Sequence, residues 1–244
     1  MAMRIDLYLA ESGLVGSRTA AKRSIEEGLV LVDGVPVTKP SFDVSGLEDK
    51  ITLLEAERAF VGRGGIKLDA AIDAFGIEVA GKHCIDVGAS SGGFTDCLLQ
   101  HGAAKVIAVD SGRLQLVDSL RRDERVISIE GYNARYIKPS DLPYVPELAV
   151  MDVSFISATY IIPALTHCLN TGAEFVLLIK PQFEVGRENI GKGGIVKSER
   201  ARAMAVDKVT ECASSFGFKV MGVIKSPISG GDGNVEYLAY MVKS

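Results

Sequence analysis

From about residue 66 onward the chain alternates short, β-branched apolar stretches with segments of helical period. Strands are predicted over 83–87, 105–110, 126–130, 148–153 and 174–180, with helical patterns over 94–101, 114–123 and 157–170 between most of them. Strands joined by helices run parallel, and a parallel sheet requires cover on both faces. A long helix over 198–216 then leads to a strand over 218–225, a Pro/Gly-rich turn and a last strand over 235–242. Two consecutive strands without an intervening helix pair antiparallel. The expectation is an α/β unit whose seven-stranded sheet ends in an antiparallel hairpin.

The first sixty residues read differently. Helical spacing over 4–12 ends at Gly13, Ser17 suits the N-cap of a helix running to Glu27, and Gly28 stops it. Strand-like residues 29–32 and 35–37 flank Asp33-Gly34, the strongest short hairpin signal. A small α+β unit is therefore expected ahead of the large one. The net charge of −4 gives no global attraction to nucleic acid, so RNA binding must rest on a local patch. Apolar runs fall short of the roughly 18 residues of a membrane span. The N-terminus has no apolar signal core. Cys84, Cys97, Cys168 and Cys212 show no CxxC spacing and lie in apolar surroundings. They read as reduced, buried thiols, with no metal site and a cytoplasmic setting expected.

Seven strands with a terminal antiparallel hairpin is the order of a class I, Rossmann-like methyltransferase. An ordinary dinucleotide-binding fold continues with parallel strands, so the pattern favours a methyl donor over NAD. The candidate donor loop follows the first strand of the sheet. It runs from Asp86 through Gly88, Gly92 and Gly93 to a helix starting near Phe94. Its spacing is not GxGxxG. Asp110 ends the next strand, where a carboxylate can accept both ribose hydroxyls of an adenosine ligand. Asn133, after the third strand, is placed to contact the adenine or serves as a turn residue.

Four ionisable residues fall at element ends on the same rim. Lys67 opens a helix over 68–75, Asp152 and Lys180 end the fourth and fifth strands, and Glu236 starts the antiparallel last strand. Such a cluster suits methylation of a ribose hydroxyl. A hydroxyl is a very weak acid, so an ammonium tuned toward neutrality must act as base. Lys180, crowded by a second lysine, is the candidate. Asp152 and Glu236 orient it and take up charge, and Lys67 holds or polarises the hydroxyl oxygen.

These residues resemble the TlyA (haemolysin A) family of ribosomal RNA 2′-O-methyltransferases, with an FtsJ-type catalytic part. The matching strings are Gly62-Arg-Gly-Gly-Ile-Lys-Leu68, Asp86-Val-Gly-Ala-Ser-Ser-Gly-Gly-Phe94, Met151-Asp-Val-Ser-Phe155, Lys180-Pro-Gln-Phe-Glu184 and Asn234-Val-Glu-Tyr237. The resemblance implies a Lys-Asp-Lys-Glu tetrad at Lys67, Asp152, Lys180 and Glu236. It implies S-adenosylmethionine as donor, held by the loop that includes Ser90, and a cytidine ribose in ribosomal RNA of either subunit as acceptor. Residues 3–59 resemble the αL RNA-binding domain named for a small-subunit ribosomal protein. The organisation expected is an RNA-binding domain over 1–59, a linker over 60–65 and a methyltransferase domain over 66–244. Residues 58–61 resemble an interdomain hinge of the family.

Residues 1–59 hold seven Lys/Arg against ten Asp/Glu. RNA contacts are therefore expected from a small patch, Arg18 and Lys22 on one helix face with Arg23 and Arg4 near, supplemented by Arg63 and the loop 187–197. Three other readings are kept: a membrane-active haemolysin, a non-catalytic RNA-binding protein with a methyltransferase fold, and an NAD enzyme.

Overall fold

The computed structural model describes residues 3–15, 17–26, 28–53 and 60–244, apart from the side chains of Ala20 and Arg23. The chain divides into two compact units, Met1–Ala59 and Phe60–Ser244.

In the first unit, α1 (Ile5–Glu11) and α2 (Arg18–Glu26) precede β1 (Val30–Val32), β2 (Val35–Pro36) and β3 (Ile51–Leu53). The three strands form an antiparallel sheet in the order β2-β1-β3. The Asp-Gly signal turns the hairpin as expected. Asp33 and Gly34 both take positive φ, 53° and 76°, the backbone a tight two-residue hairpin demands. Ile5 and Leu9 of α1, Ala21 and Ile25 of α2, and Val30 and Val32 of β1 close a small core. The predicted end of α2 at Glu27 lies outside the described residues. β3 was not predicted, because three residues after a charged turn carry too little alternation to register.

In the second unit, α3 (Gly64–Phe75), β4 (His83–Val87), α4 (Gly93–Gln100), β5 (Lys105–Asp110), α5 (Asp118–Arg121) and β6 (Val126–Glu130) are followed by β7 (Leu148–Met151), α6 (Ile162–Thr166), β8 (Glu174–Ile179), α7 (Pro181–Glu184), α8 (Glu199–Ser215), β9 (Phe218–Lys225) and β10 (Tyr237–Lys243). The sheet order is β6-β5-β4-β7-β8-β10-β9. Pairing is parallel from β6 to β8, and β10 runs antiparallel to both β8 and β9. Every residue of β7 is buried, as a central parallel strand covered on two faces requires. One core packs Phe175, Met151 and Ile107 with residues of α6 and α8; the other packs Val150, Val176 and Leu238 with residues of α3 and α4. Chain order reverses between β4 and β7, so ligands are expected in the crevice at the carboxyl ends of those strands.

Several predicted elements are corrected. The helix expected over 114–123 is helical only at Asp118–Arg121. Glu130 captures the amides of Leu114, Gln115 and Leu116 at 2.8–3.1 Å, and Leu114 sits at φ 56°. Those three amides, Leu116 foremost, hold the Glu130 carboxyl below its usual range. The helix expected over 157–170 is a 3-10 turn, Ala158–Tyr160, followed by the five residues of α6. β7 stops at Met151 rather than 153, and β8 at Ile179 rather than 180. Pro181, which has no N–H, starts α7 with Lys180 as its N-cap. The last strand begins at Tyr237, not 235.

Lys67 does not open its helix. α3 begins at Gly64, one turn earlier. Gly64-Gly65 reads as a break because glycine is a poor helix former. Here it permits close packing, since a Cβ at Gly65 would fall 2.3 Å from Phe60 and one at Gly93 would fall 3.2 Å from the Gly64 Cα.

Candidate active site

The crevice between β4 and β7 is built by two strand ends that nearly touch. Val87 and Met151 are register partners. One residue further, a Cβ at Gly88 would lie 2.3 Å from the Asp152 carbonyl oxygen. Gly88 also takes φ 89°, so no other residue fits there without moving a strand end. The loop then carries Ser90 at φ 49° and Gly92 at φ 102°, and α4 starts at Gly93. Two cavities open beside this loop. One of about 180 Å³ is lined by Gly88, Ser90, Gly93, Phe94, Asp152 and Lys180 among others. The other, of about 450 Å³, is lined by Gly88, Ser90, Asp110, Tyr132, Asn133 and Phe155 among others.

Asp110 shapes the loop as well as the cavity. Its Oδ2 accepts from the Ser90 N–H at 2.8 Å and its Oδ1 from the Gly112 N–H at 2.6 Å. A carboxylate has about four acceptor positions, so it retains capacity for hydroxyls. The Asn133 side chain accepts from the Arg135 amide at 3.1 Å, which is the turn role, while the residue also lines the larger cavity. Asp86 differs from expectation in placement. It lines neither cavity; its carboxyl lies fully buried beneath the loop and accepts from Thr95 Oγ1 at 2.7 Å. Burial pushes its pKa up to about 7, against the Thr95 hydrogen bond and aided by Asp152 and Asp110.

That shift has a thermodynamic consequence. The folded state holds a proton that the unfolded chain releases near pH 4. The associated stability is full below pH 4 and is lost as pH rises through about 7. Chemical denaturation between pH 4 and 8 should show wild type losing on the order of 4 kcal/mol relative to Asp86→Asn, since each pKa unit corresponds to about 1.4 kcal/mol. Parallel profiles for the two proteins would refute it.

The tetrad forms two ion pairs. Lys180 Nζ lies 2.5 Å from Asp152 Oδ1 and donates to Ser154 Oγ at 2.7 Å. Lys67 Nζ donates to Glu236 Oε2 at 2.6 Å, with both side chains buried. The pairs adjoin through the sheet. Tyr237 faces Ile179 in the antiparallel β10–β8 register, so the next position sets Glu236 beside Lys180. A Cβ on Gly230 would fall 2.4 Å from Glu236 Oε1, which fixes the turn before β10 close over this carboxylate. Asn234, also buried, accepts from the Val196 amide at 2.9 Å and donates to the Gly194 carbonyl at 3.0 Å. The loop 187–197 is thereby tied to that turn. Ser154 and Asn234 were not singled out from sequence, although both lie within the quoted motifs.

Within the expected RNA patch, Arg4 lies near Arg18 through a shared carboxyl. Arg4 Nε and Arg18 Nε converge on the buried carboxyl of Asp6 at 2.9 and 3.1 Å. The Arg4 guanidinium, then Arg18, holds that carboxyl below the usual range despite burial. Both arginines remain about half exposed, and Lys22 is exposed. The Arg23 side chain lies outside the described residues, as do Arg58 and Ala59 of the expected hinge. Phe60 is buried against Gly65, and the Val61 amide donates to Asp96. Arg63 precedes α3, with its guanidinium beside Gly231.

Among the described residues, one group offers metal-ligand atoms within 4.8 Å of one another: Asp69, Cys97 and His101. His101 Nε2 and Asp69 Oδ1 are joined at 2.7 Å, and the group lines neither cavity. All four cysteines are free thiols, three of them buried.

Residues 60–243 match the family model of the FtsJ-like methyltransferases, and residues 3–51 match that of the S4 domain. The 16S/23S rRNA (cytidine-2′-O)-methyltransferase TlyA of Mycobacterium tuberculosis is 44% identical over 98% of this chain and 89% of its own length. The chain belongs to the TlyA family of FtsJ-like methyltransferases. A solved structure from Streptococcus thermophilus, provisionally named a hemolysin, is 43% identical over all of this chain and 89% of that one, with a TM-score of 0.77. An S-adenosylmethionine-dependent methyltransferase from Mesorhizobium loti shares the fold alone, at 15% identity and a TM-score of 0.52, over 71% of this chain and 96% of that one. The seven-stranded order with its antiparallel β10 is thus that of a TlyA-family methyltransferase rather than of an NAD enzyme. No helix among the described residues is long and apolar enough to cross a membrane.

Proposed function

We propose that the chain transfers a methyl group from S-adenosylmethionine to the 2′-hydroxyl of a cytidine in ribosomal RNA. The observation that carries this reading is the pairing of Lys180 with Asp152 on the cavity wall, with Glu236 and its partner Lys67 set beside it by the β10–β8 register. The site fits the donor: the glycines leave a cradle that a side chain would fill, and Asp110 offers spare acceptor capacity on the wall of the larger cavity. Gly88, Ser90, Gly93, Phe94, Asp110 and Asn133 would hold it, and Asp86 would act through Thr95 to fix the start of α4. When bound, the sulfonium supplies an already activated methyl group.

The chain's own residues then have to position the hydroxyl and manage its proton. Lys180, once its own proton has passed to solvent, takes the hydroxyl proton as the new bond to oxygen forms. Asp152, 2.5 Å away, steadies the resulting ammonium. Ser154 limits the amine's rotation through its own contact at 2.7 Å. Lys67 donates toward the ribose oxygens, and Glu236 neutralises it in a setting where an unpaired charge would be costly. Alignment supplies much of the remaining acceleration. The first unit and Arg63 hold the RNA, with Arg4, Arg18, Lys22 and Arg23 as the basic contacts, in the cytoplasm where ribosomal subunits reside.

Incubation with methyl-labelled donor and unmodified ribosomal subunits should place label in RNA. No transfer to either subunit, with the donor bound, would contradict the reading. Asp110→Asn should weaken donor binding about 10- to 100-fold in calorimetry, since a hydrogen bond to a charged group contributes about 1.5–3 kcal/mol. Unchanged affinity would remove Asp110 from the donor site.

A further inference from the structure

The buried carboxylate of Glu184 has no part in the chemistry above, yet it sits one turn after Lys180, at the end of α7. Its Oε2 accepts from Ser157 Oγ at 2.5 Å and its Oε1 from the Ala158 amide at 2.8 Å. Ser157 and Ala158 end the segment that starts at Asp152. Two segments leave adjacent strand ends, 152–158 from β7 and 180–184 from β8, and they are joined twice. The first junction is Lys180 with Asp152 and Ser154. The second is Glu184 with Ser157 and Ala158. Between them the rings of Phe155 and Phe183 meet at 5.3 Å. A third element backs the second junction: Lys208 of α8 donates to Glu184 Oε2 at 3.1 Å and to the Glu184 carbonyl at 2.8 Å.

We propose that Glu184, held by Ser157, Ala158 and Lys208, is a positioning residue that sets the Lys180 amine against Asp152 and Ser154. The proposal rests on the reading of Lys180 as the base. Charge-assisted hydrogen bonds to a buried carboxylate are short and directional. Here they cross-link the two segments at a point that touches neither cavity wall. Loosening this junction leaves the donor-holding loop between β4 and α4 in place but lets the 180–184 turn drift relative to 152–154. Misplacement of a reacting group by about 1 Å costs on the order of 100-fold in rate. The Lys208 side chain is 46% exposed, so its ammonium returns to water when the carboxylate is neutralised.

The test compares full-length wild type, Glu184→Gln, Ser157→Ala and Lys180→Ala, with ribosomal subunits as acceptor. kcat, KM for the subunits, donor Kd by calorimetry and Tm are measured for each. Glu184→Gln should lose 10- to 100-fold in kcat with KM and donor Kd within about twofold of wild type, the split expected of misplacement. Ser157→Ala, which keeps the buried charge and removes one bond, should lose less in the same direction; it carries the test if Glu184→Gln fails to fold. With Lys180→Ala inactive, kcat within twofold of wild type for the folded variants would overturn the proposal. Effects confined to KM or donor Kd would overturn it too. Wild-type activity in Lys180→Ala would instead refute the base reading, and this inference with it.

Discussion

Lys180→Ala should reduce methyl transfer by about 10²- to 10⁴-fold, the usual contribution of a positioned acid or base, while donor affinity stays near wild type. The expectation follows from where the amine stands. It lines the smaller cavity with Gly88 and Asp152, and its two contacts, Asp152 Oδ1 at 2.5 Å and Ser154 Oγ at 2.7 Å, hold it at the crevice between the strand ends. The residues proposed to hold the donor stand on other elements, the loop after β4 and the carboxylate at the end of β5. Loss of turnover with retained donor binding therefore isolates the proton-handling step. Single-turnover rates beside calorimetric donor affinities make the measurement. A variant that loses donor binding in proportion to rate would mean that Lys180 builds the pocket instead.

The second large effect is expected at the buried pair of Lys67 and Glu236. Removing one partner leaves the other charge without compensation in the interior, so Lys67→Met or Glu236→Leu should each destabilise the protein by about 3–5 kcal/mol. Replacing both together should restore much of that stability, because two well-packed apolar side chains avoid the desolvation of an ion pair. Activity should not return in the double variant. Urea denaturation gives the stability and label transfer gives the activity. A stable double variant that still methylates RNA would make the pair structural. A double variant no more stable than the singles would show that this pocket cannot repack.

The central strands of the sheet were legible in the sequence because they are buried on both faces. Continuous apolar runs such as Phe175–Ile179 within β8 and Val106–Val109 within β5 cannot be mistaken for half-exposed strands. Element ends were less legible where a distant side chain decides them. The 114–117 segment has helical spacing, but Glu130 at the end of β6 takes the amides of Leu114, Gln115 and Leu116. Around the candidate site, strand order was enough to expect Asp152, Lys180 and Glu236 at one rim, while Lys67 comes from a helix. It was not enough to say which pairs with which, since Lys67 and Glu236 are 169 residues apart. The basic face of α2 shows the same limit. Spacing joined Arg18 to Lys22, while the buried Asp6 that takes up the Arg18 guanidinium lies 12 residues away on α1. Glu184 was part of a quoted motif without a role, because its partners come from a loop and a helix that only the fold brings to it.

The central claim is that a ribose oxygen accepts the methyl group. The direct measurement is alkaline hydrolysis of ribosomal RNA labelled by the enzyme with methyl-tritiated donor, followed by separation of the products. A 2′-O-methyl group blocks cleavage at its own phosphodiester, so the account predicts label in an alkali-resistant dinucleotide with cytidine on the 5′ side. Label recovered in mononucleotides would mean base methylation and would contradict the account.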